Sequence, residues 1–220
     1  IAYSIPFLQD GDTLPVGLSD THSLDQDEFT IGILGPGTGL GTGGLCRRAG
    51  ELYPIVGEGG HVGFAPETAL QLEVLTALRE RFDRVSAERL VSGPGLENIY
   101  WALTRVHGEG TAAPAAAQIF ADSQSKDHPR AAEAVQLFFE TLGQVAGNLA
   151  LTLGAYDGIY IAGGIARRYP TMLANSRFRP SFESKGRHRT MMESVPTFLV
   201  TYPEPGLLGA AYCARQLYLD

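Results

Sequence analysis

A short apolar run that ends in a cluster of glycines constrains the fold more than any other feature of the chain. Residues 29–34 (FTIGIL) are rich in β-branched and aromatic side chains, which is typical of a buried strand. Six of the next ten residues, 35–44, are glycine. Glycine disfavours a helix interior and permits close backbone approach. With a second apolar run at residues 52–56, the pattern predicts a strand, a glycine loop and a returning strand.

Helical and strand patterns alternate along the rest of the chain. Helical periodicity begins near Pro66 and again at Pro129, where the longest predicted helix starts and runs to about Gly154. Residues 159–162 and 197–201 are predicted strands. A helix is predicted from Ile165, and a last one over 207–217. Strands that alternate with helices place the chain in the α/β class.

Composition limits the classes of function. The chain has 220 residues, 44% of them hydrophobic, which is enough for one full core. A net charge of -7 disfavours nucleic-acid and membrane partners, which would require a dense basic stripe. The only cysteines, Cys46 and Cys213, exclude a disulfide framework and a cysteine-based zinc cluster. With neither a signal peptide nor a membrane span visible, we expect a cytoplasmic protein.

The glycine run has three interpretations. A hairpin that cradles phosphates would use the hydroxyl of Thr38 and nearby N–H groups as donors, with glycines allowing close approach. Residues 39–44 also match G-x-G-x-x-G, the signature of a dinucleotide-binding fold, with Glu58 as the ribose acid. That fold requires a helix next, whereas residues 45–56 show no helical face. The third interpretation is a glycine turn that binds nothing.

Glu58 and His61 form the second notable group. Residues 56–64 contain four glycines around these two ionisable side chains, a composition that is costly in chain entropy unless the backbone geometry matters. The pair could bind a metal or lie on a surface loop, but no second His or Cys is nearby. A carboxylate can accept from two adjacent sugar hydroxyls, so polyol binding fits the pair best.

Seven motifs follow one another along the chain, at residues 35–41, 57–61, 85–89, 92–96, 147–151, 160–165 and 205–209. In this order they strongly resemble the bacterial-type glucokinases, which are members of the actin-like ATPase (hexokinase) superfamily. The resemblance spans essentially the whole chain. It implies the large lobe of an actin-like ATPase (ribonuclease H-like) fold, with a mixed sheet and flanking helices. Residues 1–204 would form that lobe, and residues 205–220 a terminal helix that packs on a small lobe.

The resemblance also implies an activity and its site residues. Glucokinases transfer the γ-phosphoryl group of ATP, bound with Mg²⁺, to the 6-hydroxyl of glucose, a step of glycolysis. Three residues match the family's glucose contacts: Glu58, His61 and Glu88. The remaining matches belong to nucleotide-binding loops: Gly35, Gly37, Thr38 and Gly39 in the hairpin, and Gly163 and Gly164 in the adenosine loop. No metal-ligating residue is implied, and a homodimer is typical of the family.

One expected component does not align with this sequence. In the family, the aspartate that accepts the proton of the 6-hydroxyl aligns just upstream of Ile1, together with a lobe that carries its own phosphate loop. We therefore expect this chain to be part of a longer protein and to be inactive alone. Two alternatives stay open: a sugar-binding or regulatory module without catalysis, and a dinucleotide oxidoreductase. The phosphoryl donor could also be ADP or polyphosphate.

Overall fold

The computed structural model describes residues 1–17, 24–110 and 112–219. Two predicted segments extend beyond these described residues: the large lobe at 18–23 and 111, and the terminal helix at Asp220. The described residues form a mixed sheet with flanking helices, which confirms the predicted class. The strands are β1 (Thr13–Pro15), β2 (Phe29–Pro36), β3 (Leu40–Arg48), β4 (Glu51–Gly57), β5 (Ile159–Ile161) and β6 (Thr197–Val200).

Strand β2 lies inside the sheet, whose order is β1-β6-β5-β2-β3-β4. It runs antiparallel to β3, with Pro36 opposite Leu40, so residues 37–39 form the tip of the β2–β3 hairpin. On its other side it runs parallel to β5. The tip of the hairpin and the carboxyl end of β5 therefore lie at the same edge of the sheet, where α/β proteins commonly bind ligands.

The predicted glycine loop is mostly strand, and the prediction of its extent was wrong. Only residues 37–39 turn, and the following glycines belong to β3. At Gly44 a Cβ atom would lie 2.8 Å from the carbonyl oxygen of Ile31 in β2, so the residue must stay small there. The glycine run continues into β3, and β4 follows, with no helix between them. This arrangement excludes the dinucleotide-binding interpretation, which requires a helix at that place.

Helices cover the sheet and follow its strands. They are α1 (Ala69–Leu78), α2 (Gly93–Val106), α3 (Ala116–Asp122), α4 (Pro129–Leu153), α5 (Gly164–Arg168), α6 (Pro170–Ala174), α7 (Phe178–Glu183), α8 (Arg189–Ser194) and α9 (Pro205–Leu219). Single 3₁₀ turns or short 3₁₀ helices occupy Ala2–Phe7, Gly59–His61, Ala87–Arg89 and Gly186–His188. Among the described helices, none combines the length and the apolar character needed to cross a bilayer.

Capping residues, glycine and proline explain where the helices begin and end better than the apolar periodicity does. Helix α1 begins at Ala69 and not at Pro66, because the Thr68 side chain accepts from the amide of Gln71 at 3.2 Å and caps the helix. Helix α4 ends as predicted at Gly154, whose φ of 63° is left-handed. The helix predicted from Ile165 is interrupted, since Pro170 starts the separate helix α6.

The two faces of the sheet bury different side chains. In β5, Ile159 and Ile161 join the larger apolar cluster, which includes the buried face of α4. Tyr160 between them belongs to the smaller cluster on the opposite face and stacks on Phe198, with ring centroids 5.3 Å apart. Burial raises the pKa of the Tyr160 phenol, so the ring stays neutral and packs as a core residue.

Helix α9 lies against the beginning of the chain. The ring of Tyr212 is 5.2 Å from that of Tyr3 and 5.0 Å from that of Phe7. At Gly209 a Cβ atom would lie 3.4 Å from the backbone nitrogen atoms of Ile1 and Ser4. The described part of α9 therefore packs on the 3₁₀ helix Ala2–Phe7. Its packing on a small lobe stays a prediction.

Glycines also set the distance between α4 and α7. A Cβ at Gly143 would lie 2.0 Å from the carbonyl oxygen of Phe178, and one at Gly147 would lie 2.6 Å from that of Phe182. Both contacts involve backbone, which can yield only if a helix moves. The two helices can lie this close only because α4 has no side chain at these positions.

We expect Gly143→Ala to lower the free energy of unfolding by about 1–3 kcal/mol, because the added methyl group must push α7 away from α4. Urea unfolding followed by circular dichroism measures the change. Gly206→Ala in α9 is the matched control, since its Cβ would approach no atom closer than 4.0 Å. Equal stability of the two variants would contradict the packing argument.

Candidate functional site

The tip of the β2–β3 hairpin is held on one side and open on the other. The amide of Gly37 donates to the carbonyl of Gly39 at 2.8 Å, and the carbonyl of Gly37 accepts from the amide of Gly93 at 2.8 Å. Thr38 is exposed, and within the described ranges neither its amide nor its hydroxyl has a hydrogen-bond partner. The predicted phosphate contact thus offers two free donors.

The carboxylate of Glu88 reaches the hairpin from the 3₁₀ turn Ala87–Arg89. Its Oε2 accepts from the amide of Leu40 at 2.8 Å. A Cβ at Gly39 would lie 2.5 Å from this oxygen, so a larger residue would displace the carboxylate. The Glu88 side chain is 30% exposed. One of its oxygens is therefore fixed by the hairpin, while the other accepts no hydrogen bond from a residue that the structure describes.

His61 lies beside Glu88 because two loop segments pair as short strands do. Residues 62–64 and 85–87 are joined by backbone hydrogen bonds of 2.9 and 3.0 Å. His61 Nδ1 is 4.0 Å from Glu88 Oε1, and the imidazole is 59% exposed. The guanidinium of Arg84 donates to the carbonyl of His61 at 2.7 Å, which further fixes the loop.

Glu58 stands at the start of the same loop. Its carbonyl accepts from the amide of His61 at 3.0 Å, which closes the turn Gly59–His61. At Gly60 a Cβ would lie 2.1 Å from the carbonyl oxygen of Leu40, so the loop is pressed against β3. The Glu58 side chain is exposed, and its carboxylate has no partner among residues the structure describes. The structure thus brings Glu88 and His61 into contact and adds Glu58 through the backbone.

A cavity of about 370 Å³ lies on the other side of the hairpin tip. It joins the hairpin to the start of α5, so three residues predicted to bind nucleotide, Gly37, Thr38 and Gly164, face the same space. The lining residues are Gly37, Thr38, Gly93, Pro94, Glu97, Ala116, Ala117, Phe120, Gly164, Ile165, Arg168 and Tyr169. Cavities of this volume are typical of small-molecule sites.

The predicted glycines divide into those that face this cavity and those that pack. A Cβ at Gly164 would meet nothing within 4 Å, whereas one at Gly163 would lie 2.2 Å from the carbonyl oxygen of Pro36. Gly163 therefore permits the contact between the ends of β5 and β2 and is absent from the cavity lining. Gly35 lies within β2, opposite Gly41.

The cavity has an apolar part and a polar part. Phe120 and Tyr169 stack in its wall, with ring centroids 4.0 Å apart. Glu97 also lines the cavity, and one of its carboxylate oxygens accepts from the amide of Ala116 at 2.9 Å. Arg168 supplies the positive charge at the cavity. A ligand with a flat apolar group and an anionic group would match this lining.

Several of these wall residues were missed by sequence reasoning. Glu97, Phe120 and Arg168 come from α2, α3 and α5, which are distant in sequence and converge only in the fold. None belongs to a glycine-rich motif. The sequence did offer one signal for this wall: the motif at residues 92–96, which forms the start of α2. The hydrogen bond from the amide of Gly93 to the hairpin explains why that motif is near the cavity.

Comparison with known proteins agrees with this geometry. A family model described as glucokinase matches residues 1–217. A glucokinase of Xylella fastidiosa is 40% identical over 217 residues, which are 98% of this chain and 64% of the relative. The chain thus spans less than two thirds of that relative's length. The crystal structure of a glucokinase from an Antarctic psychrotroph superposes with a TM-score of 0.89 at 34% identity, covering 98% of this chain and 66% of the other.

A more distant structure shares the fold. It is a ROK family glucokinase from Streptomyces griseus, solved in complex with glucose and AMPPNP. Its TM-score is 0.58 at 20% identity, and the match covers 87% of this chain and 62% of the other. These neighbours identify the mixed sheet with flanking helices as the actin-like ATPase fold.

We expect Gly39→Ala to displace the Glu88 carboxylate from the amide of Leu40. Loss of a hydrogen bond to a charged group should lower the free energy of unfolding by about 1.5–3 kcal/mol. Hydrogen exchange at the Leu40 amide should also accelerate, as nuclear magnetic resonance would record. Gly41→Ala is the control, because a Cβ there would meet nothing within 4 Å. Unchanged exchange at Leu40 in Gly39→Ala would refute the steric argument.

Proposed function

Since the chain belongs to the glucokinase family, we propose that the complete protein transfers the γ-phosphoryl group of ATP to the 6-hydroxyl of glucose. One observation carries this proposal. The same hairpin tip lines the 370 Å³ cavity through Thr38 and holds the carboxylate of Glu88 through the amide of Leu40. A nucleotide in the cavity and a sugar at Glu88 would thus meet across one turn of backbone.

The proposed sugar contacts are Glu58, His61 and Glu88. Glu88 is held by one oxygen, so its orientation is set before a ligand arrives. Hydrogen bonds from sugar hydroxyls to a carboxylate contribute about 1.5–3 kcal/mol each. The exposed carboxylate of Glu58 and imidazole of His61 lie in the same turn and would contact neighbouring hydroxyls.

The proposed nucleotide site is the cavity. The base would pack against Ile165 and Tyr169, with Phe120 supporting the Tyr169 ring from behind, and the free oxygen of Glu97 would accept from ribose hydroxyls. Thr38 and Arg168 would hold the phosphates. The glucokinase of Streptomyces griseus was solved with AMPPNP, which supports an adenine nucleotide as the donor. Gly164 leaves the cavity unobstructed, whereas Gly35, Gly39 and Gly163 contribute by shaping the backbone around it.

Magnesium is part of the proposal as a companion of the nucleotide. Within the described residues, no group of three or more His, Cys, Asp or Glu side chains is arranged to hold a metal. Mg²⁺ commonly keeps several waters and binds through substrate phosphates with one or two carboxylates, so such a cage is not required. When bound, the ion would neutralise charge on the transferring phosphoryl group.

The wider assignment is also part of the proposal. Residues 1–204 would form the large lobe, and residues 205–220 a helix that packs on the small lobe. A homodimer in the cytoplasm is typical of the family. The net charge of -7 supports the absence of nucleic-acid partners.

Isothermal titration calorimetry with glucose tests the sugar site. We expect Glu88→Gln to raise the Kd for glucose about 10- to 100-fold, because a charged acceptor is lost from a fixed position. Glu58→Gln and His61→Ala should also weaken binding. Formation of glucose 6-phosphate by the complete protein with Mg-ATP is the companion assay.

Glu80→Gln is the matched control for the sugar site, since Glu80 is an exposed carboxylate paired with Arg105 at 3.2 Å outside the hairpin region. Its affinity for glucose should equal that of the parent protein. If all three site variants bind glucose as the parent does, the assignment of this site is wrong.

Neighbouring arginines allow a separate test of the nucleotide site. Arg168 lines the cavity, whereas Arg167 donates to the carbonyl of Tyr202 at 3.2 Å and is absent from the cavity lining. We expect Arg168→Ala to raise the Kd for AMPPNP about tenfold, since a hydrogen bond between charged groups contributes about 1.5–3 kcal/mol. Arg167→Ala should leave it unchanged. Equal effects of the two variants would contradict the placement of the phosphates.

A further inference from the structure

Ser92 has a position that the proposed function does not yet use. Its side chain is 2% exposed and lies between the sugar contact Glu88 and the first turn of α2. The hydroxyl donates to the carbonyl of Glu88 at 2.8 Å and accepts from the amide of Gly95 at 2.9 Å. One buried hydroxyl therefore joins the backbone of a proposed sugar contact to the helix that walls the cavity.

The segment from Glu88 to Gly95 also holds the hairpin at two points. Glu88 Oε2 accepts from the amide of Leu40, and the amide of Gly93 donates to the carbonyl of Gly37, each at 2.8 Å. The first contact lies on the sugar side of the hairpin tip and the second on the cavity side. A shift of this segment would therefore change both sides of the tip.

The segment has little freedom to absorb a local movement. A Cβ at Gly95 would lie 2.5 Å from the backbone carbon of Leu90, so no side chain fits there unless the turn moves. The buried amide of Asn98 donates to the carbonyl of Arg89 at 3.0 Å and holds the turn from the opposite side. Movement at Glu88 should thus be passed to the start of α2.

We propose that Ser92 is a positioning residue that couples the sugar site to the nucleotide site. When a sugar shifts the Glu88 carboxylate, the hydroxyl of Ser92 passes this shift to Gly93 and Pro94 in the cavity wall. The position of the wall that a nucleotide meets then depends on the sugar. Because such coupling is reciprocal, AMPPNP should increase the affinity for glucose by the same factor. This inference rests on the proposed function.

Calorimetric titration of glucose with and without saturating AMPPNP measures the coupling. We expect AMPPNP to lower the Kd for glucose in the parent protein by about fivefold or more, as is typical of coupled sites. In Ser92→Ala this ratio should fall towards one, because the side chain that joins the Glu88 carbonyl to the start of α2 is lost. Ser92→Gly removes the same hydroxyl at a smaller cost to the helix and should behave alike.

Ser176 supplies the matched control. Its hydroxyl donates to the carbonyl of Leu173 at 2.7 Å and accepts from the amide of Phe178 at 3.1 Å, the same pair of bonds between α6 and α7. Ser176→Ala should also lose stability in urea but keep the full coupling ratio. Ser92→Thr, which retains the hydroxyl, should restore the ratio.

The outcomes separate this inference from the proposed function. If the parent protein binds neither glucose nor AMPPNP, both are overturned. If it binds both ligands but Ser92→Ala and Ser92→Gly keep the parent's ratio, the coupling through Ser92 is refuted while the proposed function stands. A fall of the ratio in Ser176→Ala as large as in Ser92→Ala would also refute it, because general loss of stability would then explain the effect.

Discussion

The hydrogen bond between the Leu40 amide and the Glu88 carboxylate is the contact on which the whole site depends. It exists because Gly39 has no Cβ atom, so the Glu88 carboxylate can approach the hairpin without a clash. The bond joins the central hairpin to a turn about fifty residues later in the chain. The loop of His61 and the start of α2 take their positions from the same turn. A single close approach therefore organises the acids, the hairpin tip and the cavity wall.

Much of the fold followed from the sequence because its signals were local. The buried strands and the end of α4 at Gly154 depend on short apolar runs and on a left-handed glycine, which a sequence displays directly. Strand β3 was missed because its glycines carry no strand propensity. Glycine is needed at position 44 because the neighbouring strand β2 lies too close for a side chain. The separate helix α6 follows from Pro170, a break that apolar periodicity does not record. The cavity wall was also beyond reach, because Phe120 and Arg168 meet only after folding.

The electrostatics of the cavity explain how an acidic protein could hold an anion. The start of α2 provides no free amide there, since Gly93 and Gly95 bond internally and Pro94 has no N–H group. Thr38 and Arg168 are among the donors that line the cavity, in a chain with a net charge of -7. Recognition would then depend on a few placed groups and not on the overall field.

The two glycines that follow β5 have opposite surroundings, and this difference gives the molecule a place for an optical reporter. A cysteine at position 164 would extend a thiol into unobstructed space at the cavity, where a small dye could respond to an arriving ligand. The chain has only two natural cysteines to replace beforehand. One residue earlier, the carbonyl of Pro36 at 2.2 Å leaves no room for any side chain. A cysteine for labelling could thus be introduced at position 164 but not at position 163, although both positions are glycine in the sequence.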